Sequence, residues 1–176
     1  DLLDNHATTR LDPRVLEAML PWLTDSYGNA GSVTHAFGRA ARAAVEAARE
    51  SFAAAIGGTA AEVLFTSGAT ESNNLAILGL ARRRRSLGHE GGRVVTVATE
   101  HHAVLDPCDH LERQGIAVTR LAVEPQDGSG VPGRIRLEEL ESALADDTFL
   151  VSVMLANNEI GVVQDIPAIA DRVHAR

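Results

Sequence analysis

The sequence predicts an α/β domain with a mainly parallel sheet. Two observations carry that prediction. Short apolar, β-branched runs alternate along the chain with longer stretches of helical apolar spacing. Three of those runs end in polar clusters, Gly68-Ala69-Thr70, Glu100-His101-His102 and Asn157-Asn158-Glu159. In parallel sheets, ligands gather beyond the carboxyl ends of the strands.

The first ten residues are polar and irregular, with Asp4-Asn5-His6-Ala7-Thr8-Thr9 at their centre. Asp12 suits a helix cap and Pro13 the first helical position. Val15, Leu16, Met19 and Leu20 give that helix one apolar stripe, which Pro21 is expected to bend or end. Tyr27 to Gly38 reads as a loop, and a second helix is expected from about Arg39 to Ala55. Ala41, Ala44, Val45, Ala48, Phe52 and Ala55 line its apolar face, and Gly57-Gly58 stops it.

Val63 to Thr66 reads as a buried strand, followed by the small residues Ser67, Gly68 and Ala69 and by a helix from Thr70. A helix start behind a small-residue turn presents free N–H groups and a dipole that favour a phosphate, and the Thr70 hydroxyl can add a hydrogen bond. The helix ends in Arg82-Arg83-Arg84-Arg85, which reads as a solvated end complementing the dipole. Arg93 to Ala98 is the next strand, then a helix to about Gln114, a strand from Ile116 to Ala122, and a Gly/Pro-rich loop or hairpin from Glu124 to Arg136. A helix follows around Leu137 to Ala145. Thr148 to Met154 reads as a strand buried on both sides. A last helix begins near Ile166 and is expected to run on to Arg176.

Composition narrows the function classes. The 176 residues are 45% apolar and carry a net charge of −8, which argues against nucleic acid or an anionic membrane surface as partner. No apolar run is long enough for a membrane span, and no signal peptide is apparent. The single cysteine, Cys108, excludes an internal disulfide framework and fits a reducing cytoplasm. All 16 basic residues are arginine, so no lysine occurs among these residues.

The polar clusters exclude several chemistries. His101 and His102 lack the i, i+4 spacing of a helical zinc pair, so no metal site is expected. A P-loop needs a lysine, a dinucleotide fingerprint needs GxGxxG, and no serine elbow is present. A phosphate anchor, an imidazole and an amide remain, which suits a flat, phosphorylated, aromatic cofactor. Taken singly, each also has an ordinary role: Thr70 a cap, His101 a loop histidine, Asn158 a turn former.

Thr66-Ser67-Gly68-Ala69-Thr70-Glu71-Ser72-Asn73-Asn74-Leu75-Ala76, Thr99-Glu100-His101 and Asn157 through Asp165 resemble the pyridoxal-phosphate-dependent cysteine desulfurases of aminotransferase class V. Within that family, the group supplying sulfur for iron–sulfur clusters is the nearest. Asp4 through Thr9, Gly28-Asn29 through Ser32, His35 and Gly38 match that group's N-terminal pattern. The resemblance implies a fold-type I large domain, three layers with helices on both faces of the sheet, incomplete in this chain. Residues 1–12 would approach the active site and small domain, and residues 13–176 would be the first part of the cofactor-binding domain.

Carried over by position, Ala69 and Thr70 hold the pyridoxal phosphate, His101 stacks on its ring and shuttles a proton, and Asn158 bonds its phenolic oxygen. Asn157 and Glu159 shape the turn, His102 is a poorer candidate than His101, and His6 and His35 approach the site. The Schiff-base lysine and the persulfide-forming cysteine have no counterpart here, because Cys108 falls at a structural position. The resemblance therefore implies the N-terminal portion of an enzyme converting L-cysteine to L-alanine and a protein persulfide. A second polypeptide segment would supply lysine, cysteine and central strands, within a homodimer-like, cytoplasmic assembly that passes sulfur to an acceptor protein. The family's strand order would leave Val63 to Thr66 without a neighbour inside this chain. Another class V enzyme, selenocysteine lyase or epimerase-like, and a catalytically dead truncated scaffold are the alternatives.

Overall fold

The computed structural model describes Asn5 and residues 7–176, so Asp4 and His6 lie outside the described residues. The chain divides into two compact units, one of residues 7–65 and one of Thr66–Arg176.

In the first unit, α1 (Pro13–Leu23) starts where Asp12 accepts the Arg14 N–H at 2.8 Å. Pro21 does not end it, because a proline in the last turn forfeits only one backbone bond and two further residues stay helical. The second helix, α2 (Ala36–Ala55), begins three residues earlier than expected, since His35 caps it through Nδ1, which accepts the Gly38 N–H at 3.1 Å. A side chain at Gly38 would place its Cβ 1.7 Å from the Ser32 carbonyl oxygen, so only glycine fits that approach. A 3-10 turn (Ala60–Glu62) follows, with Thr59 and Glu62 capping one another.

Val63 to Thr66 is not a buried strand. It joins no sheet, and Leu64 and Phe65 are 65% and 49% exposed. The reason is the want of a neighbour, as the family's strand order implied. Among the described residues, Leu64, Phe65 and Thr66 make no backbone–backbone hydrogen bond. The Val63 carbonyl instead accepts from the Arg49 guanidinium at 2.5 Å, which also lies over the Phe65 ring.

The second unit is a sheet with helices on both faces. Its elements are α3 (Ala69–Ser86), β1 (Arg93–Val97), α4 (His102–Arg113), β2 (Ala117–Leu121), α5 (Leu137–Ala143), β3 (Thr148–Val151) and α6 (Ile166–His174). The strands are parallel in the order β2-β1-β3, with Arg93 opposite Ala117 and Val95 opposite Val151. The loop before α5 closes through an antiparallel bridge between Val123 and Ile135. Two expectations are corrected. The strand β3 is shorter than Thr148 to Met154 and only half-buried, because among the described residues it has one strand neighbour. The last helix ends at His174 rather than running to Arg176. Among the described residues, no helix is long and apolar enough to cross a membrane.

Alternation along β1 divides the core. Val94 packs with Ile77 and Ala81 of α3 and with Val104, Cys108 and Leu111 of α4. Val95 and Val97 pack with Leu140 of α5 and Ile169 of α6. Helices therefore cover both faces, and the helix starts of α3 and α4 are carried toward the carboxyl end of the sheet.

Thr96 is wholly buried beside this core, and its hydroxyl has no hydrogen-bond partner among the described residues. A buried orphan hydroxyl carries a desolvation cost that an isosteric apolar group avoids. Thr96→Val is expected to stabilise the protein by about 1 kcal/mol, read as a higher urea midpoint at unchanged slope. A lower midpoint would show that the hydroxyl is satisfied in solution.

Candidate active site

The site is assembled from two helix starts and one turn. Gly68 stands at the N-cap of α3, and no side chain caps that end. The local polar groups are arranged around the helix start and leave it open. Glu71 folds back to accept the Ser67 N–H at 2.6 Å and its hydroxyl at 2.7 Å, and Thr66 and Ser72 share a hydroxyl–hydroxyl bond of 2.6 Å. The Ser67 donors hold the Glu71 carboxyl below its usual range. A Cβ built on Gly68 meets nothing within 4 Å, so the approach to the Ala69 and Thr70 N–H groups is clear.

His101 is the N-cap of α4. Its Nδ1 accepts the Ala103 N–H at 3.0 Å, which in the neutral ring places the proton on Nε2. Thr70 and His101 line one open cleft of about 540 Å³ between α3 and α4, which continues past Asn74, His102 and Asp106 to Arg82. His102 is exposed, with its Nδ1 3.3 Å from Asp106. Asn158 is not on the wall of this cleft; it lies on the turn that follows β3.

Two cross-links bind that turn to the segment before His101. The Asn157 amide donates to the Thr99 carbonyl at 2.8 Å, and the Met154 N–H donates to Glu100 at 2.6 Å. Asn157 also closes its own turn, since its side-chain oxygen accepts from the N–H groups of Glu159 and Ile160 at 2.9 and 3.0 Å. Glu100 is 8% exposed, and burial pushes its carboxyl above the usual range despite the Met154 donor. The sequence places Glu100 in a polar cluster at a strand end; that it turns inward to hold a second loop has no local sequence signal. Beyond the turn, buried Gln164 fixes the 133–135 segment by donating to the Gly133 carbonyl and accepting the Ile135 N–H.

Cys108 is fully buried on the sheet side of α4, and burial pushes its thiol up to about 11. A thiol held protonated in a packed core is a poor nucleophile, which agrees with the structural place that the sequence assigned to it.

Residues 2–176 match the sequence profile of the aminotransferase class-V family. The chain belongs to that family. This class-V chain is 54% identical over 169 residues to the cysteine desulfurase IscS of Neisseria meningitidis serogroup A, covering 96% of this chain and 40% of that protein. Among solved structures, a NifS-like protein superposes with a TM-score of 0.88 at 37% identity, covering 98% of this chain and 45% of the other. SspA in complex with cysteine superposes with a TM-score of 0.86 at 38% identity, covering 98% and 47%. The class-V chain thus spans less than half the length of these relatives.

Proposed function

We propose that the described site is part of the pyridoxal-phosphate site of a cysteine desulfurase. The observation that carries this reading is the pairing of an uncapped helix start at Thr70 with the His101 imidazole on one cleft. The donor set fits the cofactor: N–H groups and a hydroxyl for a phosphate dianion, and a ring for an aromatic face. When bound, that cofactor supplies an electron sink for the charge that develops on the substrate carbon.

The residues of this chain bind and orient. Ala69 and Thr70 take the phosphate, with the α3 dipole adding to their hydrogen bonds. His101 stacks on the ring, and its Nε2 holds and moves a proton. The Asn158 amide donates to the phenolic oxygen, and the Asn157 and Glu100 cross-links set where that amide stands. The reaction moves sulfur from L-cysteine to a protein thiol, leaving L-alanine and a persulfide. That thiol and the Schiff-base lysine belong to residues beyond these 176. The working form is a cytoplasmic homodimer that passes sulfur to an acceptor protein for iron–sulfur cluster or thio-cofactor synthesis.

Equilibrium binding tests the phosphate assignment. Hydrogen bonds to charged groups contribute about 1.5–3 kcal/mol. Thr70→Val in the complete protein is therefore expected to weaken pyridoxal phosphate at least about tenfold and to leave pyridoxal, which lacks the phosphate, unchanged. Equal weakening of both compounds would remove Thr70 from the phosphate site.

A further inference from the structure

The buried Glu100 carboxyl is only half satisfied. Its Oε1 accepts the Met154 N–H in a short bond of the charge-assisted kind. Among the described residues, Met154 is its one hydrogen-bond partner, and no cation offsets the burial that pushes its titration up. Its Oε2 is therefore without a donor, yet it is not sealed in. The sealed, unpaired side-chain atoms among the described residues are Arg84 Nε and Thr96 Oγ1. An incoming group can reach Oε2.

A carboxylate out of water needs several donors or an opposite charge, and one neutral N–H does not replace its hydration. The groups around Glu100 supply no charge. His101, the next residue, directs its Nδ1 to the Ala103 N–H. From α4, Cys108 is a buried thiol whose titration the Glu100 charge helps to raise. The 154–160 turn has one charged residue, Glu159, of the same sign. Position indicates where a cation can come from. Glu100 and Met154 stand just past the carboxyl ends of β1 and β3, and β3 has one strand neighbour among the described residues. The relatives run to more than twice this length. A further parallel strand along the open edge of β3 brings its own carboxyl end, where polar side chains gather, beside Met154.

We propose that Glu100 anchors a cationic side chain, a guanidinium or an ammonium, carried by a segment of the longer protein that pairs along the open edge of β3. The proposal rests on the longer protein inferred above and not on its cofactor. In a crystal structure of the complete protein, a guanidinium or ammonium nitrogen is expected within hydrogen-bonding reach of Glu100 Oε2. Glu100→Gln keeps an acceptor for the Met154 N–H and removes the charge. In the complete protein at neutral pH it should lower the folding equilibrium constant at least about tenfold. Replacing the cation found in the crystal by methionine should cost a similar factor, and both changes together little more than either alone. Water, a neutral donor or a metal ion on Oε2 would overturn the proposal. So would a Glu100→Gln protein more stable than wild type, the mark of an uncompensated charge. Should Glu100→Gln fail to fold, the wild-type structure still decides. Pyridoxal phosphate binding by Thr70→Val tests the cofactor separately, so either reading can fail alone.

Discussion

Replacing His101 by alanine in the complete, cofactor-loaded protein is expected to lower kcat by about 10²–10⁴-fold, the range for loss of a general acid–base group. The substitution also removes the N-cap of α4, since His101 Nδ1 accepts the Ala103 N–H, at a cost of about 1 kcal/mol. His101→Asn separates these roles. Asparagine caps helices well but has neither an aromatic face nor a titratable nitrogen. It should restore the thermal midpoint and leave turnover as low as in the alanine variant. Near-normal turnover in His101→Asn would show that the imidazole acts only as a cap.

Leu140→Ala is expected to cost about 2–5 kcal/mol of stability, a large share of the roughly 5–15 kcal/mol that holds an ordinary domain together. Leu140 is fully buried in the layer formed with Val95, Val97, Leu144 and Ile169, where a sheet face meets α5 and α6. Packing from both sides leaves little freedom to collapse onto a cavity, so the loss should fall toward the upper part of the range. Leu140→Met keeps most of the volume and should cost less than about 1.5 kcal/mol. Urea unfolding of both variants checks the pair. Equal, small losses would mean that this layer is not tightly packed.

Local pattern made most of the second unit readable. β1, α4, β2, α5 and α6 announce themselves through apolar spacing; that Asp165 caps α6 by accepting the Ala168 N–H is seen only in the structure. Val63 to Thr66 shows where such reading stops. Its residues favour a strand, but a strand exists only with a neighbour, and pairing is a property of the whole sheet. Thr70 and His101 stand out in the sequence as candidates because each lies where a polar residue meets a helix start. The inward turn of Glu100 does not, because its partner, the Met154 N–H, lies 54 residues away. A separation of 58 residues likewise hides the anchoring bond from Asn157 to Thr99, although the turn that Asn157 closes is local.

The two cross-links also bear on how sequence can be exchanged between relatives. Thr99 through His101 and Met154 through Ile160 are separate in the chain, yet each completes the hydrogen bonding of the other. A graft that replaces only one of them strands a buried carboxylate or an unpaired amide. The two loops are therefore a single interchangeable part, and chimeras among class-V proteins should carry both or neither.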